Sequence, residues 1–329
     1  MNGRRRYVPV VHGAVDGRPD EADTAAAADA VAAALARLGY DTEVLRVDLD
    51  LGRLEALRRS GPCAVFNMVE ALEGNCALAH LVPAVLEHFG LACTGAPSQA
   101  LAATACKIAT KRILAVAGIP TPAWSADGSG LPAGAPVIVK SASEHGSLGI
   151  DGGSVVDAAR AREEIAAREA RFGGRFFAET FIDGREFNVA LLDGGSGPEL
   201  LPVAEIMFDG FAPGVPRVVD YRAKWDEGSF AYVHTPRRFD FPDADSGLLD
   251  DLRRLALAAW DVLGLSGYAR IDFRVDAAGR PFVLEANPNP GLGADAGFVA
   301  QAARAGIGFD RLIERIVMAA VASVRRQAA

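Results

Sequence analysis

Four polar residues in one short stretch carry the clearest chemical signal in the chain. Arg270, Asp272, Glu285 and Asn287 lie in a run that alternates apolar and polar residues on either side of Asp276-Ala277-Ala278-Gly279. The pattern predicts two strands joined by a four-residue turn. Side chains alternate faces along a strand, so all four project from one side. A regular hairpin would put Arg270 opposite Glu285 and Asp272 opposite Val283, with Ile271, Phe273, Val275, Phe282 and Leu284 on the core face. Two carboxylates and an amide oxygen make a hard-oxygen set suited to magnesium carrying nucleotide phosphates. An amphipathic hairpin with a solvated charged face fits the same spacing equally well.

Other candidates precede it. Lys140 ends the apolar run Pro136-Val-Ile-Val-Lys140, next to the glycine-bearing loop Glu144-His145-Gly146-Ser147-Leu148-Gly149. Backbone amides in such a loop can surround phosphate oxygens while a lysine supplies charge. A second pattern, Ala178-Glu179-Thr180-Phe181-Ile182-Asp183-Gly184-Arg185-Glu186, places one acid in an apolar strand and another after a glycine turn. Asp220-Tyr221-Arg222-Ala223-Lys224-Trp225 and Cys106-Lys107-Ile108-Ala109-Thr110-Lys111 add three lysines.

Arg270-x-Asp272-Phe273, a turn, and Leu284-Glu285-Ala286-Asn287-x-x-Pro290-Gly291 together resemble the metal-binding hairpin of ATP-grasp ligases, most closely the D-alanine–D-alanine ligase group. The resemblance implies that Asp272, Glu285 and Asn287 hold two magnesium ions, with manganese as an alternative, and that Arg270 faces the reacting carbonyl. It implies that ATP is held by Lys107, Lys140, Ser147, Glu179, the backbone at Phe181 and Ile182, Glu186 and Lys224. In that assignment Glu179 meets the adenine amino group, Glu186 the ribose and Lys224 the terminal phosphate. The five motifs run in family order over about residues 63–300. They imply a carboxylate–amine ligase that works through an acyl phosphate, and a homodimer.

The substrate end departs from the family pattern. Where the family has Phe-Asn-x-Leu-His-Gly, this chain has Phe66-Asn67-Met68-Val69-Glu70-Ala71. The loop tyrosine is Trp225, a family serine falls on Gly146, and the Ser-Leu pair that binds the second substrate's carboxylate falls in Asp295-Ala296-Gly297-Phe298. The first-loop glutamate has no clear counterpart; Asp16, Asp20, Glu21 and Asp23 are nearby acids. An acid at a carboxylate site repels a carboxylate and favours a cation. The expected substrates are therefore a small-molecule carboxylate and amine other than two D-alanines. The alternatives are a true D-alanine–D-alanine ligase of cell-wall synthesis, a specialised-metabolite amino-acid ligase, and a non-catalytic ATP-binding protein.

These residues need a scaffold. Strand-like runs at 7–12, 42–47 and 64–67 alternate with helical sequence at 20–38 and near 76–89, which implies a parallel sheet covered on both faces. Ligands on such sheets bind beyond the carboxyl ends of the strands, here after His12 and Asn67. No Gly-x-Gly-x-x-Gly opens the first helix, which argues against a dinucleotide fold. Strands at 136–140, 175–182 and 185–192, a strand-rich stretch from 200 and a helix at 245–263 follow. The expected fold is α/β: an N-terminal parallel α/β domain (1–97), then an ATP-grasp fold of two subdomains (98–184 and 185–329). Length 329 and an apolar half fit several compact units, and the formal charge of −8 argues against nucleic acid as partner. No apolar run is long enough for a membrane span and no signal peptide is evident, so the cytoplasm is the expected compartment. Cys63, Cys76, Cys93 and Cys106 show no metal or disulfide spacing and read as small buried hydrophobes.

Overall fold

Near-continuous apolar strands separated by helices produce, over the first ninety residues, a three-stranded parallel sheet. A computed structural model describes residues 6–14, 19–143, 146–195 and 197–327. Strands β1 (Val10–His12), β2 (Val44–Arg46) and β3 (Phe66–Asn67) alternate with helices α1 (Pro19–Arg37), α2 (Gly52–Ser60) and α3 (Leu81–His88). The order is β2-β1-β3, all parallel. Val10 and Phe66 pack on Ala27, Val31 and Leu35 of the alanine-rich α1, while Val11 and Val65 meet Leu54, Leu57, Val82 and Leu86 on the other face. The first strand is shorter than the apolar run: Tyr7 pairs with Asp41 only as an isolated bridge. Pro9, which has no N–H to give, separates the two.

Helices α4 (Ser98–Thr104) and α5 (Lys107–Val116) lead to an antiparallel sheet of order β4-β7-β5-β6. Its strands are β4 (Trp124–Ser125), β5 (Pro136–Ser141), β6 (Val155–Asp157) and β7 (Phe176–Thr180). Helix α6 (Ala161–Phe172) covers one face, where Val137, Val139, Phe176 and Ala178 pack with Ala161 and Ile165. Strand alternation sends Ile138, Lys140 and Glu179 the other way, into a cavity.

The remaining strands are β8 (Arg185–Asp193), β9 (Pro198–Leu200), β10 (Ala204–Ile206), β11 (Arg237–Arg238), β12 (Tyr268–Val275) and β13 (Pro281–Pro288). They pair in the order β11-β10-β8-β12-β13, with β9 also on β8. Helix α9 (Ser246–Val262) lays Leu252, Leu255, Ala256 and Trp260 on Phe187, Val189, Ile271, Phe273 and Val283. The stretch from 200, expected to be rich in strand, instead holds the short helices α7 (Tyr221–Trp225) and α8 (Phe230–Val233). Each is started by a side-chain cap, Asp220 accepting from the Ala223 N–H and Ser229 from the Tyr232 N–H. Helices α10 (Gly297–Arg304) and α11 (Phe309–Gln327) close the chain, and Leu312, Ile313, Ile316 and Val317 return to the core of α1 and β1.

The hairpin register differs from the regular one. Arg270 pairs with Asn287 and Asp272 with Glu285; the ladder then slips, so that Phe273 faces Val283. Leu284 is the extra residue of a β-bulge, which puts two residues opposite one. Val283 and Ala286 are therefore the buried members of the strand, Phe282 is only half-buried, and Leu284 lines the cavity. The four polar residues still share one face.

Candidate active site

One cavity of about 1130 Å³ lies between the two antiparallel sheets and the ends of the parallel strands. Lys107, Lys140, Ser147, Glu179, Phe181, Ile182, Glu186, Lys224, Arg270, Asp272, Glu285 and Asn287 all line it, as do Glu70, Trp225 and Asp295. Residues spread over more than two hundred positions thus converge, because the two antiparallel sheets turn polar side chains, and the parallel sheet its strand ends, to one space.

The hairpin supplies the densest cluster. Arg270 donates through Nε and Nη2 to the two Asp272 oxygens at 2.7 and 2.8 Å. Asn188 of β8, directly across the ladder, donates to Asp272 at 2.8 Å. Asn287 Nδ2 reaches Asp272 at 2.9 Å and Glu285 at 3.4 Å, and Lys107 lies 3.4 Å from Glu285. Burial pushes the Asp272 carboxyl up, against the pull of Arg270. Arg270 itself is raised: burial works against its charge, but Asp272, with Glu285 and Glu186 adding to it, outweighs burial. The donor set fits a magnesium ion, because Asp272 and Glu285 are cross-strand neighbours and the Asn287 amide already reaches both carboxylates. A half-turn of that amide presents its oxygen instead of its nitrogen.

A second cluster sits where β5 and β7 line the cavity. The Glu179 carboxylate, 1% exposed, lies between Lys111 at 2.6 Å and Lys140 at 2.5 Å. Burial alone would raise Glu179, but the two ammonium groups bring it below the usual carboxylate range. Lys111 is pushed down by burial, with Glu179 opposing and Lys140 adding to the effect. Phe181 donates its N–H to Pro136 O at 2.9 Å, and among the described residues its carbonyl and the Ile182 N–H make no hydrogen bond. Glu186 pairs with Arg274 at 2.7 Å. Gly184, in the turn between the two acids, is required: a Cβ there would lie 1.9 Å from the Val275 oxygen.

Two loops meet over the cavity. Ser147 Oγ donates to Val219 O at 2.8 Å, Trp225 Nε1 to Gly146 O at 3.0 Å, and the Tyr221 N–H to Ile150 O at 3.3 Å. Lys224 lines the cavity half-buried, with no ion pair among the described residues; burial pushes its ammonium down, with Glu285 the leading charge against that shift.

Sequence reasoning assigned no role to Lys111, Asn188, Arg274 or Arg237. Arg274 and Lys111 were findable, one two residues beyond Asp272 on the same strand face, the other one helical turn from Lys107. Asn188 and Arg237 carried no local signal. Of the first-loop acids, Asp23 lines the cavity, Asp16 lies outside the described residues, and Asp20 and Glu21 are described by their backbone alone.

Residues 131–318, more than half the chain, match the family model described as D-ala D-ala ligase C-terminus. The chain belongs to the D-alanine–D-alanine ligase family. A protein named D-alanine–D-alanine ligase from Moorella thermoacetica is 34% identical over 304 residues, 88% of this chain and 91% of that one. An uncharacterized protein, y4sG, from Sinorhizobium fredii is 32% identical over 302 residues, 88% of this chain and 86% of its own. In fold, the D-alanine–D-alanine ligase of Bacillus anthracis complexed with ATP superposes with a TM-score of 0.74 at 20% identity, covering 98% of this chain and 99% of that one. The fold is thus the expected one, a parallel α/β unit followed by ATP-grasp. As a member of this family the protein is an ATP-dependent ligase that forms a carbon–nitrogen bond and releases ADP and phosphate. Among the described residues no helix is long and apolar enough to cross a membrane.

Proposed function

We propose that this ligase joins a small carboxylic acid to an amine other than the D-alanine pair, through an acyl phosphate formed from ATP. The observation that carries the reading is Lys224, a half-buried ammonium without an ion pair among the described residues, lining the same cavity as the Asp272–Glu285–Asn287 cluster. A half-buried ammonium with no direct ion-pair partner among the described residues favours an anion as large as a phosphate beside it. In this reading Lys140 and Lys107 flank the inner phosphates, the Phe181 carbonyl and Ile182 N–H take the adenine edge, and Glu179 and Glu186 the adenine amino group and ribose. Magnesium held by Asp272, Glu285 and Asn287 neutralises phosphate charge when bound.

The chemistry follows from these positions. A substrate carboxylate oxygen attacks the terminal phosphorus and ADP leaves, with Lys224 beside the transferred group. The amine then attacks the acyl carbon, and phosphate leaves as the amide forms. Among the described residues Arg270 keeps Nη1 uncommitted while Nε and Nη2 hold Asp272, so it can donate to the oxyanion at the acyl carbon without losing its anchor. The contacts between residues 146–150 and 219–225 keep water from the acyl phosphate. Asp23, whose carboxyl is pushed up by burial and then by Asp295, is the acid positioned to hold an ammonium group of the first substrate.

Glu70, Trp225 and Asp295 at the cavity's substrate end support partners other than two D-alanines. The names of relatives such as the Moorella protein favour a second reading, synthesis of D-alanyl-D-alanine. One assay separates them: ADP release with ATP and magnesium across acid–amine pairs, read beside mass spectra for a product lighter by one water. Product from a different pair upholds the proposal. Efficient turnover with D-alanine alone establishes the second reading, and the altered loops are then drift.

A further inference from the structure

Arg274 lies on the cavity face of β12, two residues beyond Asp272, and is only 4% exposed. Strand pairing sets it directly across from Glu186 of β8, and its Nη2 lies 2.7 Å from that carboxylate. The same guanidinium serves two further segments. Nη1 donates to Gly184 O at 3.1 Å, in the turn that follows Phe181 and Ile182, and Nη2 donates to Arg217 O in the loop that leads to α7. The guanidinium carbon stands 5.2 Å from the centre of the Phe208 ring, near the start of that loop, and 5.8 Å from that of Phe181. Beyond Arg217 the backbone is held step by step as far as Lys224: Val219 O accepts from the Ser147 hydroxyl, and Asp220 accepts from the Ala223 N–H at the start of α7. An ion pair that served stability alone would need only Glu186. The two carbonyls are the informative partners, because neither belongs to β8 or β12 and both lie in segments that line the cavity. A guanidinium can hold all three because its fork fixes several N–H groups in one plane, whereas an ammonium is a single point of charge.

We propose that Arg274 is a positioning residue that sets the nucleoside-binding turn and the Lys224 loop in one frame, so that an ATP whose ribose meets Glu186 has its terminal phosphate at Lys224. The proposal rests on the ligase reading and adds to it a coupling between the two ends of the nucleotide. Without Arg274, Glu186 loses the partner that aims it at the ribose, and Arg217 O loses the donor that holds the loop to the sheet.

Calorimetric titration of the purified protein with ADP and with 2′,3′-dideoxy-ADP, each with magnesium, tests the ribose end. Wild type is expected to prefer ADP by roughly 10- to 100-fold, the worth of a hydrogen bond to a charged group, and Arg274→Met to lose most of that preference. Hydrogen exchange read by mass spectrometry on the same samples tests the loop end. Arg274→Met is expected to exchange faster in peptides covering 181–186 and 216–225, and at the wild-type rate in β1 and α11. Arg274→Lys keeps a charge beside Glu186 but lacks the fork, so part of the ADP preference returns while exchange at 216–225 stays fast. An undiminished preference for ADP in Arg274→Met, or no preference in wild type, overturns the proposal. Faster exchange spread evenly along the chain marks a purely structural role and also overturns it. If Arg274→Met does not fold, Arg274→Lys carries the test, and a wild-type exchange rate at 216–225 in that variant removes the coupling. ADP release from ATP with acid–amine pairs keeps the two readings apart. Wild-type turnover with an ADP preference indifferent to Arg274 leaves the ligase and removes the positioning role. Arg274-dependent nucleotide binding with no ADP from any pair leaves the positioning role and removes the proposed acid–amine reaction.

Discussion

At the scale of single residues, the site is a set of charges whose neighbours decide what each can do. Asp272 accepts from Arg270, Asn188 and Asn287 at once, and so stays fixed in orientation on the polar face of its sheet. Replacing Asp272 or Glu285 by alanine is expected to abolish ADP release, and near-normal rates in either variant would reject the metal assignment. Lys111 has a different part, since its ammonium is 1% exposed and holds both Glu179 and the Thr121 hydroxyl. Lys111→Met removes one partner of a buried pair and is expected to cost about 3–5 kcal/mol in urea unfolding, with Glu179 left leaning on Lys140. A change near zero would show that Lys140 alone satisfies Glu179. Both clusters were partly legible in the sequence because strand alternation is a local rule: residues two apart share a face whatever the fold. Arg237 was not legible, because a two-residue strand has no periodicity to read.

At the scale of elements, the bulge at Leu284 and the contact between two loops matter most. A regular hairpin keeps Leu284 on the core side; the slip moves it to the cavity and aligns Asp272 directly with Glu285. The signal for that slip is absent from the sequence, since Phe282, Val283 and Leu284 are all apolar and only packing against α9 selects Val283. The loops are joined through Trp225, whose indole donates to Gly146 O. Trp225→Phe keeps the ring and loses the donor, a loss of about 1 kcal/mol. The expected outcome is a several-fold higher KM for ATP and ADP released in excess of amide product, as water reaches the acyl phosphate. Strict one-to-one stoichiometry in this variant would remove the water-excluding role.

At the scale of the whole molecule, the last helix ties the chain's end to its beginning. Ile313 and Ile316 are fully buried in one cluster with Val10, Val31 and Phe66. Ile316→Ala is expected to cost about 2–5 kcal/mol and to lower the midpoint for both ends of the chain together. Two separate transitions would show that the ends unfold independently. Stability should also respond to pH through His12, whose imidazole pKa is lowered by burial. Below an ordinary value of about 6.5 the unfolded chain takes up a proton that the folded chain refuses, so stability falls as pH drops toward the lower folded value. His12→Gln is expected to flatten that part of the melting profile.

By itself the sequence determined the fold class and the ligase family, and every site residue it named lines one cavity. Each of these depends on spacing within a few residues or on motif order along the chain. Only the tertiary structure decided that Glu179 is held between two lysines, that Asp272 faces Glu285, that Asp23 is the cavity-lining first-loop acid among those whose side chains are described, and that Arg237 and Asp295 line the same cavity. Those facts depend on which sheets turn toward each other and where a ladder slips. Both are set by packing between residues far apart in sequence, where no local rule reaches.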